Sequence, residues 1–228
     1  MHHSFWHQRW QEQRIGFHLE QINPYLSKYW PNLNVPEQSR VFVPLCGKSH
    51  DLSYFSENGY RVIGNELSTL AVQDFYTEQQ LNASKSVISI ENSASEQLEM
   101  TLWSSPEVDI ICGDFFALKK EQLADISAVY DRASLVALPP EMREKYVQKL
   151  LELLPEKVSM LLLTLDYNEN EKQGPPFSVT EDEVYRHYNQ YFNIELLEVA
   201  DISAADRSPR SQNMSYFNER VFLLKRDE

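Results

Sequence analysis

The sequence predicts an α/β fold in which a mostly parallel sheet of seven strands, with an antiparallel edge strand, carries helices on both faces. Short apolar runs rich in β-branched and aromatic residues alternate along the 228-residue chain with segments of helical periodicity. Strands that alternate with helices form parallel sheets buried on both sides. The last two apolar runs follow each other without a strong helix between them, which indicates an antiparallel hairpin at one edge.

The strand and helix expectations follow from composition and from stop signals. Strands are expected at residues 40–45, 61–64, 108–112, 128–130, 158–165, 193–199 and 220–225. Helices are expected at residues 52–58, 69–80 and 140–154, and another begins at about residue 180. Asn58-Gly59 is typical of a helix C-terminus, and Thr180 followed by acidic residues is typical of a helix start.

Two further segments lie outside this alternation. Residues 86–90 and 99–103 alternate in polarity and predict a β-hairpin, which we interpret as a decoration on the main pattern. An aromatic segment near the start, Phe5 to Trp10, continues into an expected helix whose apolar positions include Leu19, Ile22 and Leu26. From the residues alone, these aromatic side chains are expected to pack in the core.

The charge limits the class of function. The chain has 34 acidic and 21 basic residues, a formal net charge of −13 at pH 7. Phosphate backbones require a basic surface, so we expect no nucleic-acid partner and favour a small molecule. No apolar run approaches the roughly 20 residues that span a bilayer, so no membrane partner is expected. Two cysteines, Cys46 and Cys112, are too few for a disulfide framework, and we expect a cytoplasmic protein.

The organisation of the chain is simple. We find no internal repeat, low-complexity tract or Gly/Ser linker, so residues 1–228 are expected to form one domain. The six histidines show no metal-ligand spacing, and we therefore expect no metal. We also expect a monomer.

Glycine is scarce and concentrated at strand ends. Of six glycines, Gly47, Gly64 and Gly113 lie within about two residues of the end of an expected strand. Ligands of open α/β sheets bind outside the carboxyl ends of the strands, so these glycines indicate backbone close to a ligand. Ordinary strand termination is the alternative for each one. The loop at residues 44–49 lacks both the G-x-G-x-x-G and the P-loop pattern, which favours a cofactor without phosphates and disfavours a nicotinamide oxidoreductase.

Two acidic residues follow strands at the same predicted edge. Glu66 stands nineteen residues after Gly47, where a carboxylate can accept hydrogen bonds from the ribose hydroxyls of a nucleoside. Asp114, followed by Phe115, offers an acceptor for an exocyclic amine and an aromatic face for a purine. A solvated acid and a turn-capping Asp are the respective alternatives. A glycine loop, a strand-end Glu and a strand-end Asp are what S-adenosylmethionine binding requires.

Two segments are specific enough to indicate a family: Pro44-Leu45-Cys46-Gly47-Lys48, and residues 131–138 with the sequence Asp-Arg-Ala-Ser-Leu-Val-Ala-Leu. Both resemble thiopurine S-methyltransferases. Further similar segments are Phe5-Trp6 through Trp10 and residues 16–18, 41–43, 64–68, 75–78 and 174–177. They follow the family's order from about residue 5 to residue 224 and are most similar to its bacterial branch. The resemblance implies a Rossmann-like class I methyltransferase fold, S-adenosylmethionine as methyl donor and a small aromatic or heterocyclic thiol as acceptor; some bacterial members are associated with tellurite or selenium resistance.

The resemblance also implies residue roles. Cofactor contacts are expected from Trp10, Leu45, Gly47, Glu66, Gly113, Asp114 and Arg132. Phe17 and Arg132 are expected to face the acceptor, and residues 1–35 are expected to form a helical and aromatic lid. A substrate-side arginine is expected near the C-terminus. Arg207 is our choice for it, and Arg210 remains open.

Arg132 is the predicted catalytic residue. Its guanidinium can hold an anionic acceptor and favour the thiolate, which is the competent nucleophile. The alternative is a salt bridge to Asp131 or to another surface acid. Asn65 departs from the family, which usually has an aliphatic residue there, and it places a polar group beside Glu66. Methylation of another soft nucleophile (tellurite or a selenium species, halide, hydrosulfide) and non-catalytic nucleoside binding are the alternative functions.

Overall fold

A computed structural model describes residues 2–91, 97–202 and 214–226. The strands within these residues are β1 (Arg40–Val43), β2 (Arg61–Glu66), β3 (Ser84–Glu91), β4 (Gln97–Ser104), β5 (Val108–Cys112), β6 (Ile126–Arg132), β7 (Val158–Tyr167), β8 (Asn193–Asp201) and β9 (Phe217–Arg226). The helices are α1 (His3–Gln11), α2 (Pro24–Tyr29), α3 (Asp51–Glu57), α4 (Thr69–Glu78), α5 (Pro140–Leu153) and α6 (Glu181–Tyr188). The strands pair in the order β3-β4-β5-β2-β1-β6-β7-β9-β8.

The predicted α/β class is confirmed, and its centre is a run of five parallel strands. β5, β2, β1, β6 and β7 pair in parallel, with Val43 opposite Gly64 and Glu66 opposite Cys112. Their carboxyl ends therefore meet at one edge of the sheet, where ligands of such sheets bind. The residues that follow these strands are brought together there.

The strand count and the place of the antiparallel strands differ from the prediction. The hairpin β3–β4 is not a decoration: β4 pairs with β5, so the sheet of the described residues has nine strands rather than seven. The antiparallel strands, β4 and β9, each lie one position inside an edge rather than at it. In β9, Val221 to Leu224 pack alternately into the cores on the two faces of the sheet, as is typical of a strand inside a sheet.

Helices cover both faces of the sheet, as predicted. Alternate residues of β1 show why the strands are apolar throughout: Phe42 packs into one core, and Val41 and Val43 pack into the other. The first core lies under α5 and α6, and the second under α2, α3 and α4. Each central strand thus buries apolar side chains on both faces of the sheet. The removal of this apolar surface from water is the main source of its stabilisation.

The predicted helix through Leu19, Ile22 and Leu26 is wrong. Helix α1 ends at Gln11, and no helix includes Leu19 or Ile22, each of which is 38% exposed. Only Leu26 is helical and buried, in α2. The separate start of α2 has a local cause: Pro24 stands in its first turn, and the Asn23 side chain caps it by accepting from the Tyr25 N–H at 2.9 Å.

Asp131, at the end of β6, is fully buried in a small polar network. Its Oδ2 accepts from the Tyr146 hydroxyl at 2.7 Å and its Oδ1 from the Leu135 N–H at 3.2 Å. No ion pair within the described residues joins it to Arg132, which removes the salt-bridge alternative for that arginine. Burial raises the pKa of the Asp131 carboxyl from its ordinary value of 3.8 to about 6, although hydrogen bonds oppose the rise.

This pKa predicts a pH-dependent contribution to stability. The folded state binds the Asp131 proton more tightly than the unfolded chain, so the contribution is complete below about pH 4 and is lost as pH rises through about 6. The free energy of unfolding of the wild type relative to Asp131→Asn should therefore fall by about 2–3 kcal/mol between pH 4 and 7, at about 1.4 kcal/mol per pKa unit. Urea unfolding at several pH values measures it. Asp182→Asn, which removes an exposed carboxyl, is the control, and parallel curves for wild type and Asp131→Asn would contradict the assignment.

Candidate active site

A cavity of about 650 Å³ opens at the carboxyl ends of the parallel strands. This volume is typical of pockets for small molecules. The predicted site residues that line it are Trp10, Phe17, Leu45, Gly47, Glu66, Asp114 and Arg132. Gly113 is not among the lining residues, and Arg207 and Arg210 lie outside the described residues.

Glu66 is a buried acid that ties two loops together. Its carboxylate is 6% exposed, and Oε2 accepts from the Gly47 N–H at 2.9 Å while Oε1 accepts from the Ser68 N–H at 2.7 Å. Burial raises the pKa of this carboxyl, and the backbone donors oppose the rise. Each carboxylate oxygen retains a lone pair, so Glu66 can still accept from a ligand in the cavity.

The loop after β1 holds an unusual backbone. Leu45 has a φ of +45° and Gly47 a φ of +56°, and Ala133, after β6, has a φ of +64°. All three line the cavity. Left-handed conformations of Leu and Ala are costly and are concentrated at functional sites in proteins. At Gly47 a side chain is excluded twice, because a Cβ there would also lie 3.2 Å from the Trp10 ring.

The other two strand-end glycines have a packing role. A Cβ on Gly64 would lie 2.7 Å from the Cys46 sulfur, and one on Gly113 would lie 2.6 Å from Met100 Cγ. Our interpretation that scarce glycine marks backbone beside a ligand therefore fits the position of Gly47, whereas close packing accounts for Gly64 and Gly113. Asn65 points away from Glu66, and its amide donates to the carbonyls of Ile111 and Gly113 at 3.0 and 3.1 Å.

Asp114 caps a turn and also lines the cavity. Its Oδ1 caps the following turn by accepting from the Phe116 N–H at 2.9 Å, which is the turn-capping alternative given in the sequence analysis. Its Oδ2 lies 3.3 Å from His3 Nε2 of α1. The side chain also lines the cavity, next to Phe115 and Phe116. Capping and ligand contact are therefore compatible here.

A buried aspartate attaches the N-terminal segment to the site. Asp51, in the first turn of α3, accepts from the Asn23 N–H at 2.8 Å and from the Tyr130 hydroxyl at 3.1 Å. It is 2% exposed. Asn23 caps α2, and Tyr130 lies two residues before the end of β6. This carboxylate therefore fixes the segment that follows the aromatic residues over the carboxyl edge of the sheet. The sequence analysis did not identify it.

Arg132 lies beneath the aromatic segment. Its Nη1 donates to the Phe17 carbonyl oxygen at 2.9 Å, and none of the ion pairs of the described residues includes its guanidinium. The Phe17 ring packs against Trp6 and Trp10, with ring centroids 6.1 and 5.6 Å apart. The structure thus combines a cation and an aromatic cluster at one wall of the cavity.

Cys46 is buried, and its surroundings disfavour a nucleophilic thiolate. Burial raises the pKa of its thiol well above the ordinary value, and the nearby Glu66 carboxylate raises it further.

His18 also lines the cavity, with its ring 5.4 Å from that of His50. Burial lowers the pKa of His18, and the positive charge of Lys48 adds to this effect. Near neutral pH its imidazole is therefore uncharged.

Residues from the second half of the chain form the far wall. Lys172, Pro175, Pro176, Phe217 and Glu219 line the cavity, and of these the sequence analysis considered only the two prolines, without a role. Glu219 had a detectable signal, because it interrupts the apolar row that Phe217, Val221 and Leu223 form on one face of β9. Lys172 had none, since it stands in an irregular loop.

Several solved structures with a similar fold are named as methyltransferases. A SAM-dependent methyltransferase from Anabaena variabilis aligns with a TM-score of 0.64 at 16% identity, covering 99% of this chain and 95% of that one. The 1,6-didemethyltoxoflavin-N1-methyltransferase of Burkholderia thailandensis aligns at 0.61 with 14% identity, covering 99% and 87%. These likenesses show the fold.

Sequence relatives identify the family. The thiopurine S-methyltransferase family model matches residues 1–227. The proteins of that name from Shewanella frigidimarina and Nitrosospira multiformis are 42% and 43% identical, with 99% and 98% of each chain covered. Fold, cavity and these relatives together define an S-adenosylmethionine-dependent methyltransferase. The chain belongs to the thiopurine S-methyltransferase family. The family prediction is thus confirmed.

Two features are absent from the described residues, a metal-binding cluster and a membrane-spanning helix. They contain no group of three or more His, Cys, Asp or Glu side chains arranged to hold a metal ion. None of their helices combines the length and apolar character that a membrane span requires.

The two positive-φ glycines allow a matched test of the Gly47 loop. Gly47→Ala should destabilise the protein by about 1–2 kcal/mol through its left-handed backbone and should also weaken S-adenosylhomocysteine binding, because the Trp10 ring must shift. Gly59→Ala, at φ +80° with no neighbour within 4 Å of a Cβ, should carry only the backbone cost. Urea unfolding and calorimetric titration measure both effects. Equal affinities of the two variants for S-adenosylhomocysteine would show that the loop is not at the donor site.

Proposed function

We propose that the protein transfers the methyl group of S-adenosylmethionine to the sulfur of a small aromatic or heterocyclic thiol. The observation that carries the proposal is Arg132, a cation without an ionic partner among the described residues, beside an aromatic cluster at a cavity wall. Such a site favours a flat, apolar acceptor with an anionic sulfur. Full-length relatives named thiopurine S-methyltransferase support the same acceptor class.

The donor half of the cavity is assigned to the ends of β1, β2 and β5. Glu66 would accept from the ribose hydroxyls, and Asp114 with Phe115 would hold the adenine. Leu45, Gly47 and the Trp10 ring would pack around the donor, with the backbone near Gly113 beside it. The fit is supported by the lone pairs that Glu66 keeps and by the narrow space between Gly47 and Trp10. S-adenosylmethionine supplies an activated methyl group on a sulfonium, and its leaving group departs neutral.

The acceptor half is assigned to the walls near Arg132 and Phe17. Arg132 would hold the thiolate, lower its proton affinity and fix its direction. Phe17, Trp6 and the prolines at 175 and 176 would exclude water and confine the ring. Orientation of this kind can supply a large part of the reduction in the activation free energy, and it requires no dedicated base. Arg207, outside the described residues, is kept as a second arginine for the acceptor.

The remaining expectations belong to the same proposal. The chain would act as a single domain over residues 1–228, as a monomer in the cytoplasm, without a metal. Residues 1–35 would form the lid over the bound donor. The hydrogen bonds from Asn23 to Asp51 and from Arg132 to Phe17 support this, since they hold both ends of the segment that carries Phe17 at the cavity.

Replacing Glu66 tests the donor half. Glu66→Gln keeps the size of the side chain but removes its charge and one acceptor, so S-adenosylhomocysteine affinity should fall by about 1–3 kcal/mol. The surface variant Glu57→Gln, at the end of α3, removes the same charge away from the cavity and should bind as the wild type does. Calorimetric titration gives both affinities. A lower melting temperature with unchanged affinity would limit Glu66 to a structural role.

Replacing Arg132 tests the acceptor half. Arg132→Gln keeps a donor for the Phe17 carbonyl but removes the charge, so methylation of 6-mercaptopurine should slow by about 10–100-fold, the loss of one charge-assisted hydrogen bond. The loss should shrink as pH rises, because the thiol then ionises without help. Arg132→Lys keeps the charge and should be less impaired.

The acceptor class itself is tested with the wild-type protein. With a radiolabelled donor, 6-mercaptopurine and thiophenol should be methylated in preference to iodide, hydrosulfide and tellurite. Turnover of tellurite or iodide alone would replace the proposed acceptor with another soft nucleophile. Donor binding without turnover of any of them would indicate a nucleoside-binding module.

A further inference from the structure

Four carboxylates line the cavity: Asp51, Glu66, Asp114 and Glu219. Protein groups already occupy three of them. Asp51 accepts from Asn23 and Tyr130, Glu66 from Gly47 and Ser68, and Asp114 from Phe116. The Glu219 carboxylate has no hydrogen bond or ion pair to any other residue that the structure describes. It is the carboxylate most available to a ligand.

Glu219 is held firmly although its carboxylate is free. It lies in β9, between Leu165 of β7 and Ala200 of β8, and both neighbouring strands fix its backbone. Side chains alternate along a strand, so Glu219 shares a face with Val221, which is fully buried. Burial raises the pKa of this carboxyl, and the charge of Arg132 opposes the rise. A half-buried acid in this position loses hydration that only a ligand or water can replace.

The strand order places Glu219 far from the donor half. Four strand intervals separate β9 from β2, which ends in Glu66, and at about 4.8 Å each they amount to roughly 19 Å. Arg132 ends β6, two intervals from β9, so it lies between the two acids. Glu219 therefore belongs to the acceptor half, on the side of Arg132 away from Glu66.

We infer that Glu219 determines acceptor specificity, by accepting a hydrogen bond from a ring N–H of a heterocyclic thiol whose sulfur is held at Arg132. This inference rests on the proposed function and narrows its acceptor class. The Arg132 guanidinium would then bind the thiolate at one end of a flat molecule, and the Glu219 carboxylate would bind an N–H donor at the other end. A hydrocarbon thiol such as thiophenol would leave the carboxylate unpaired, and sites built to bind a polar group discriminate strongly against analogues that lack it.

The test compares two acceptors in three variants. For each protein, kcat/KM is measured with 6-mercaptopurine, which carries ring N–H groups, and with thiophenol, which carries none. Glu219→Gln removes the charge, and Glu219→Leu also removes the acceptor. Glu198→Gln is the control, because that nearby carboxylate already binds Lys28 and Tyr29 at the surface. Titration with S-adenosylhomocysteine confirms that each variant is folded.

The expected result is a change in the ratio of the two specificity constants. The preference for 6-mercaptopurine over thiophenol should fall about tenfold in Glu219→Gln and further in Glu219→Leu, as for a lost hydrogen bond to a charged group, while Glu198→Gln keeps the wild-type ratio. A ratio within about twofold of wild type in both Glu219 variants would overturn the inference and leave the proposed function intact. A wild-type protein that methylates neither thiol would overturn both.

Discussion

The site depends on the contact between the buried Glu66 carboxylate and the Gly47 N–H. Parallel pairing of β1 with β2 brings the two strand ends together, and the hydrogen bond of 2.9 Å then folds the loop after β1 back onto the acid that ends β2. A buried carboxylate without donors would be very costly, so the acid depends on this loop geometry. Gly47 tolerates the positive φ that the contact requires, and Trp10 packs in the space that a side chain would have filled.

Other walls of the cavity are held by contacts further along the same edge of the sheet. Asp51 attaches the N-terminal segment through Asn23 and Tyr130, and that attachment places the Phe17 carbonyl within reach of Arg132. Arg132 consequently presents its guanidinium to the cavity, while the adjacent Asp131 points into the core and binds Tyr146. The alternation of a strand thus separates a cation that lines the cavity from a buried structural acid, although the two are neighbours in sequence.

Much of the fold and of the cavity edge could be predicted, because buried parallel strands have a strong hydrophobic pattern in the sequence. Apolar runs on both faces of β1 and β7 indicated a covered sheet, and strand-end residues such as Glu66 and Asp114 could be assigned to one edge without knowing any distance. The helix through Leu19 and Ile22 could not be rejected, since its spacing is helical and only tertiary contacts and the Pro24 start override it. The packing of Gly64 against Cys46 and of Gly113 against Met100 could not be predicted, because it depends on residues distant in sequence. The acid at Glu219 interrupts an apolar row and was detectable in the sequence, but its place at the cavity depends on the pairing of β9 with β7 and β8, which the sequence does not show.

A crystal structure of the complex with S-adenosylhomocysteine and an aromatic thiol tests the central claim most directly, namely that one cavity is divided between Glu66 and Arg132. Our account predicts the ribose hydroxyls within hydrogen-bond distance of Glu66, with the Gly47–Ser68 contacts unchanged, and the thiol sulfur between the homocysteine sulfur and the Arg132 guanidinium. A nucleoside bound away from Glu66, or a thiol seated where Arg132 does not reach it, would contradict the account.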